Sequence, residues 1–170
     1  MEIKSVNAPR FYGSYELKVD AKNRMFVPAN VRRVINPDVH GRAFFVILGK
    51  NKKPWFYPDL FYRTLVDQLT LEMSPDDDLL EYERLRFGLS DLIEWDDQGR
   101  VVLPEKALRR AGIENDVTLV GVWDHLELWN RAEWDAHTEQ LVSNSGEIES
   151  KGKKAMLAAK QREGISGPVA

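Results

Sequence analysis

Asp20 and Arg24 stand four positions apart, and Asp96 and Arg100 repeat the pair farther along the chain. A carboxylate and a guanidinium at this spacing support two kinds of chemistry. An aspartate ahead of a turn accepts backbone amides, and an arginine four residues on can pair with it across the turn. An arginine held at a turn also presents a planar fork of N–H donors that suits phosphate oxygens and guanine edges. Both pairs lie inside a longer repeat. Val19-Asp20-Ala21-Lys22-Asn23-Arg24-Met25-Phe26-Val27-Pro28 aligns with Trp95-Asp96-Asp97-Gln98-Gly99-Arg100-Val101-Val102-Leu103-Pro104 at a constant offset of 76 residues. The same offset aligns Phe11 with Phe87, Ser14 with Ser90 and Arg33 with Arg109. A pattern recurring at fixed spacing marks a repeated structural unit. Turn geometry alone does not require arginine twice, so the doubled pair points to a bivalent recognition device rather than a single active site.

Other constellations carry less chemistry. Asp76-Asp77-Asp78 reads as the acidic start of a helix, where carboxylates meet the positive end of the dipole. Asp96 and Asp97 are neighbours on a strand and face opposite ways, so they do not share a substrate as an acid/base pair. His40, His125 and His137 are scattered without metal-ligand spacing. There is no cysteine, which excludes disulfides and thiolate chemistry. No phosphate-cradling glycine loop or nucleophile elbow appears. The chain is therefore not expected to be an enzyme, and no catalytic residue, cofactor, metal or small-molecule substrate is assigned.

The formal net charge of −3 hides a lopsided distribution. Residues 1–60 hold eleven Lys/Arg against five Asp/Glu, whereas residues 61–100 hold four against eleven. Binding follows local patches more than the total, so the basic first third favours a nucleic-acid partner over what the acidic whole suggests. No stretch has the length of a membrane span, and the N-terminal residues lack the apolar run of a signal peptide. The expectation is a cytoplasmic protein with no membrane partner.

The elements that must position the two arginines follow from patterning. Tyr15, Leu17 and Val19 alternate with Glu16, Lys18 and Asp20, as do Ile93 and Trp95 with Glu94 and Asp96, which predicts two half-buried strands. A turn follows each, with Asn23 and Gly99 at the same repeat position; both residue types tolerate left-handed backbone. Short apolar strands come next, so each half is expected to form a hairpin with Asp and Arg at its tip. Pro28 and Pro104 open short helices at their first positions, the first stopped by Asn36-Pro37 and the second by Gly112. Buried-type strands around Ala43–Leu48 and Val117–Val122, then around Trp55–Tyr57 and Leu126–Trp129, complete a β-β-α-β-β order in each half. Longer helices are expected from Asp59 to Leu71, from Ser74-Pro75-Asp76 onward, and after Asn130, which with Glu133 resembles a capping box. Beyond Ser143-Asn144-Ser145-Gly146, read as a linker, the chain is charged and lacks aromatics, with at most one weak helix from Lys154 to Glu163.

Phe11, Asp20 through Arg24, Val27-Pro28, Asp96 through Arg100, Leu103-Pro104, Leu119-Val120-Gly121 and Glu127-Leu128-Trp129 together resemble the MraZ family of bacterial transcriptional regulators. The similarity covers about residues 11 to 142. The resemblance implies two SpoVT-AbrB-like swapped-hairpin units and a repressor of the division and cell-wall gene cluster. Such a protein would bind direct repeats in double-stranded DNA of its own promoter as a ring-like homo-oligomer associated with the nucleoid. By position it assigns DNA contact to Asp20, Lys22, Asn23 and Arg24 in the first loop, and to Asp96 and Arg100 in the second. Asn23 stands where the family's first loop usually has glycine. Gln98 and Asp97 make the second loop less basic than the first, so the first is expected to dominate.

The fold expected is α+β: a pseudo-two-fold double swapped-hairpin (SpoVT-AbrB-like) β-barrel with flanking helices. Its parts are a first unit at 12–59, connecting helices at 60–87, a second unit at 88–131, a flanking helix at 132–142 and a flexible tail at 143–170. Neither half alone buries enough apolar surface to be stable. Phe61, Tyr62 and Trp134 are expected either at subunit contacts or as cover for the sheet. Two other function classes fit the same residues: a ring-forming scaffold that binds an acidic protein partner, and an antitoxin-type regulator.

Overall fold

The computed structural model of the chain describes residues 8–69 and 76–165. The chain divides into two compact units, Met1–Arg131 and Ala132–Ala170. The first holds the eight strands found among the described residues: β1 Ser14–Lys18, β2 Arg24–Phe26, β3 Ala43–Leu48, β4 Pro54–Pro58, β5 Asp91–Glu94, β6 Arg100–Val102, β7 Asp116–Val122 and β8 His125–Asn130. Helices α1 Ala29–Arg33, α2 Pro37–His40, α3 Asp59–Asp67, α4 Asp77–Glu83 and α5 Glu105–Ala111 connect them, and α4 runs into a wider π turn at Arg84–Gly88. Each half thus carries two strands, a helix and two strands, with α2 an addition in the first.

The strands pair within each half, β3 with β4 and β7 with β8, and also across the repeat. Six form an antiparallel sheet in the order β1-β7-β8-β4-β3-β5, and β2 with β6 forms a separate two-stranded ribbon. The expected β1–β2 and β5–β6 hairpins are therefore corrected. Only the turns are local; each first strand joins the other half's third strand, Tyr15 opposite Leu119 and Leu92 opposite Phe45. Exchange joins strands of both halves in one sheet, which has fewer open edges than two separate sheets would have. The barrel is corrected as well. The chain leaves the sheet at Asp20 and at Asp96, so β1 and β5 end the strand order as edges and the described strands close no barrel.

One core serves both halves. Met25, Val27 and Val31 from the first pack in the same cluster as Val101, Leu103 and Leu128 from the second. A smaller cluster joins Ile47 and Tyr57 to Phe61 and Tyr62 of α3. Of the two expectations for Phe61 and Tyr62, the structure shows cover for the sheet: both are enclosed by their own chain at 5% exposure each. Leu71, Ser74 and Pro75 lie outside the described residues, and Asp76 caps α4 by accepting the Leu79 amide at 2.8 Å. Pro28 and Pro104 occupy the cap positions of α1 and α5, one residue earlier than expected, and Gly112 ends α5 in left-handed backbone. Asn130 reaches back from the end of β8. Its side chain accepts the Glu114 amide at 3.1 Å and donates to the Gly112 carbonyl at 2.6 Å, bracing the turn between α5 and β7.

The second unit is helical: α6 Arg131–Ser143 is followed by α7 Ser145–Ile165. The segment read as a linker and tail with one weak helix is corrected, since α7 runs for 21 residues. Its described residues are nearly all exposed, so local terms sustain it. Glu147 pairs with Lys151 at 2.6 Å and Glu149 with Lys153 at 4.0 Å, the favourable Glu-before-Lys order, and the run through Ala155, Ala158 and Ala159 has high helix propensity. Among the described residues no helix is long and apolar enough to cross a membrane.

Candidate nucleic-acid interface

The two Asp-to-Arg turns are built alike. In the first, the Asn23 amide donates to the Asp20 carbonyl at 3.0 Å and the Asp20 amide to the Arg24 carbonyl at 3.0 Å. One Asp20 carboxylate oxygen accepts the backbone amides of Lys22 at 2.9 Å and Arg24 at 2.8 Å, and the other accepts Arg24 Nε at 2.7 Å. In the second, Asp96 accepts the amides of Gln98 and Arg100 at 2.9 Å each, and Arg100 Nε at 2.9 Å. Each carboxylate therefore ties its turn and holds its arginine by the Nε side of the fork, leaving other N–H donors of the guanidinium for an outside acceptor. The backbone amide of the arginine is the main cause that holds each carboxyl below the usual carboxylate range; the guanidinium and the second amide add to it, and desolvation opposes it.

The apex residues lie in left-handed backbone, with φ of 58° at Asn23 and 78° at Gly99. They also lock the turns to the opposite half. Asn23 accepts the Leu103 amide at 2.7 Å, and Gly99 accepts the Val27 amide at 2.8 Å. The β2–β6 ribbon lies between these links, with Met25 opposite its repeat partner Val101. Both are buried, at 2% and 1% exposure. Side chains alternate along a strand, so Arg24, Phe26, Arg100 and Val102 share the other face. The register makes Arg24 and Arg100 diagonal neighbours, about 7–8 Å apart across the ribbon. The fold thus brings together on one surface two arginines that the sequence separates by 76 positions. Lys22 is exposed beside the first.

Three side chains at this surface have no place in the sequence-based set. Arg32 of α1 donates from Nε to the Val27 carbonyl at 3.1 Å, and its guanidinium lies over Gly99, where an added Cβ would meet Arg32 Cζ at 2.8 Å. The matching repeat position is Leu108, so the repeat itself gave no signal for it. Phe26 and Val102 are each 58% exposed. Their apolar character reads as core, but strict alternation with buried Met25, Val27, Val101 and Leu103 would have placed them outside. Among the described residues no group of three His, Cys, Asp or Glu side chains converges as a metal site.

Comparison with known proteins gives the family. Residues 87–155 match the protein family described as "MraZ protein, putative antitoxin-like". A transcriptional regulator MraZ of Neisseria meningitidis serogroup C is 32% identical over 135 residues, which are 79% of this chain and 89% of that protein. One of Clostridium beijerinckii is 32% identical over 132 residues, 78% of this chain and 89% of its own length. One of Heliobacterium modesticaldum is 28% identical over 141 residues, 83% of this chain and 95% of the relative. With identity at this level along most of both sequences, the chain belongs to the MraZ family of transcriptional regulators.

Proposed function

We propose that this chain regulates transcription by binding double-stranded DNA with the outer face of the β2–β6 ribbon. The observation that carries the reading is the convergence of Arg24 and Arg100, each held by its own aspartate, on one exposed face. A two-stranded ribbon is narrow enough to enter the major groove, where an arginine fork meets guanine O6 and N7. Asp20 and Asp96 then act as positioning residues, Asn23 shapes the first turn, and Lys22 meets phosphate. Strand exchange between the halves supports a swapped-hairpin architecture.

One such ribbon spans only a few base pairs, too few for operator specificity at cellular salt. Several ribbons linked in one oligomer raise the effective concentration of each later contact. Direct repeats suit a head-to-tail ring, whose subunits face the same way along the DNA. The reading is completed by what the family resemblance implies: repression of the division and cell-wall cluster from direct repeats in the chain's own promoter, in the cytoplasm at the nucleoid. The test is retardation and footprinting of the DNA upstream of the chain's own gene. Arg24→Ala should cost about 1–3 kcal/mol of specific binding for each subunit engaged, with the fold intact. Unchanged affinity in a folded, correctly assembled variant would remove Arg24 from the interface. The words "antitoxin-like" in the family description favour a second reading, an antitoxin-type regulator; it requires a toxin encoded beside this chain and a stable complex with it.

A further inference from the structure

The outer face of the ribbon is not only basic. Its register sets each arginine directly opposite an apolar residue, Arg24 against Val102 and Arg100 against Phe26. Phe26 and Val102 are 58% exposed, while Met25 and Val101 between them are 2% and 1% exposed. The ribbon's core face is therefore supplied by other residues, and these two side chains stand in water beside two fixed guanidinium groups. Arg32 over Gly99 and exposed Lys22 add further positive charge. Asp20 and Asp96 balance the two arginines, and Lys22 with Arg32 outweighs exposed Asp97, so the face keeps a positive excess that suits a polyanion. The paired apolar groups select one with apolar points next to its hydrogen-bonding edges. Duplex DNA meets both conditions in its major groove, where the thymine C5-methyl group projects beside the edges that arginine reads. The deep, narrow major groove of RNA helices does not admit such a ribbon. Cross-strand partners have Cβ atoms about 4.5–5.5 Å apart. Successive bases are about 3.4 Å apart along a strand. An arginine on one base edge thus puts its partner over a neighbouring base pair.

We infer that Phe26 and Val102 read thymine methyl groups next to the bases contacted by Arg100 and Arg24. The inference rests on the DNA-binding reading above and adds the specificity determinant that the arginines alone lack. The two contacts are unequal, because a phenylalanine ring covers more surface than a valine branch. The Phe26 side of the ribbon therefore carries the larger methyl dependence.

The test uses the full chain and a duplex enriched from a random-sequence library, then remade with deoxyuridine in place of thymidine, first throughout and then position by position. Deoxyuridine keeps the pairing edges and removes the methyl. Wild-type affinity should fall by about fourfold for each contacted methyl removed. Phe26→Ala should bind the thymidine duplex more weakly and lose the dependence at its position; Val102→Ala should lose a smaller dependence at another. Both positions are exposed, and unchanged thermal melting of the variants confirms their fold. Salt-sensitive wild-type binding that ignores deoxyuridine at every position would overturn this inference and leave the DNA-binding reading standing. Variants that keep the full wild-type methyl dependence would overturn it as well. A wild-type chain from which no duplex is enriched would overturn both.

Discussion

The first and second turns share a clamp and differ in nearly everything around it. Asp20 and Asp96 hold the same backbone amides and the same Nε with distances that agree within a few tenths of an ångström. Around that constant, Asn23 corresponds in the repeat to Gly99, Lys22 to Gln98, Phe26 to Val102, and Arg32 of the first half to Leu108 of the second. The clamp is what a repeated turn needs in order to form, and the variable positions are where the two copies can serve different contacts. Gln98 and Asp97 make the second turn poor in positive charge along the sequence, yet Arg32 arrives over Gly99 from the other half. In space the two turns are more nearly matched than in sequence.

The sharpest way to break the comparison is at the seam the two copies share. Met25 and Val101 face each other in the ribbon and are buried in the common core. Met25→Ala should cost about 3 kcal/mol of stability and Val101→Ala about 2 kcal/mol, from lost apolar contact plus the cavity left behind. Because strands from both halves close one core, each variant should still lose that core in a single transition seen alike by tryptophan fluorescence and near-ultraviolet dichroism. Two separated transitions would mean that the halves are independent units after all.

The apex residues come next. Gly99→Ala forces a side chain into left-handed backbone at about 1–2 kcal/mol, and its Cβ would also lie 2.8 Å from Arg32 Cζ and Nε. Asn23→Gly relieves what little strain the first apex holds and should change stability by less than about 0.5 kcal/mol. The pair of denaturant titrations should therefore be lopsided, with the loss at the second turn. Equal and small effects at both positions would show that Arg32 does not depend on the bare glycine.

Much of this arrangement was legible in the residues. Period-2 alternation in Tyr15–Val19, the turn residues at the apexes and Gly112 as a helix stop are local signals, and the structure carries them at those positions. Pairing is not local. The alternation that identifies β1 says which face is buried and nothing about whether β2 or β7 lies beside it, so the hairpins and the barrel came out wrong. Arg32 stayed hidden because it enters the second turn from the first half, a contact that neither spacing nor repeat encodes. Phe26 was hidden by its chemistry: an aromatic in a three-residue strand reads as core unless its neighbours are followed in register. The helix α7 was masked in the opposite sense, since a segment without an apolar face offers no periodicity to find.

A second pair of turns extends the comparison with opposite charges. The β3–β4 connection carries Lys50, Lys52 and Lys53, whereas the β7–β8 connection carries Asp124 followed by His125. Burial of His125 on its own would lower its pKa; hydrogen bonds that the protonated ring donates to Asp124 at 2.7 Å and Glu127 at 3.5 Å outweigh that and raise it. The ring also stacks on Trp55, with centroids 4.2 Å apart. A histidine whose folded pKa is raised adds stability that is fully present below its unfolded value, near 6.5, and is lost as pH rises through the folded value. The wild-type melting temperature should therefore decline from slightly acid to slightly alkaline pH more than that of His125→Phe. Asp20 and Asp96 act at the other end. Their lowered pKa values add stability that is present above the ordinary carboxylate range and lost as pH falls through the depressed values. A His125→Phe profile parallel to wild type across neutral pH would show that the protonated ring is not favoured by the fold.

The smallest effect separates the two turns most cleanly, because it concerns one exposed charge. Lys22 is a flexible point cation on the first turn, and Gln98 stands at the matching place on the second. A lysine that meets phosphate releases about one counterion, so the slope of log affinity against log salt should change by about 0.9 per contact. Lys22→Gln should lower the slope by that amount on operator and random duplex alike, since phosphate contacts carry no sequence information. Gln98→Lys should raise it by a similar amount if the second turn lies equally close to the backbone, and leave it unchanged if only the first turn reaches DNA. Combining both substitutions moves the charge from one turn to the other without altering the net charge of the chain. A double variant with the wild-type slope and undiminished specificity would mean that the ribbon engages DNA symmetrically through its two copies. A slope that stays low would assign the phosphate contact to the first turn alone, and the clamp at Asp96 would then serve to hold Arg100 for a base edge.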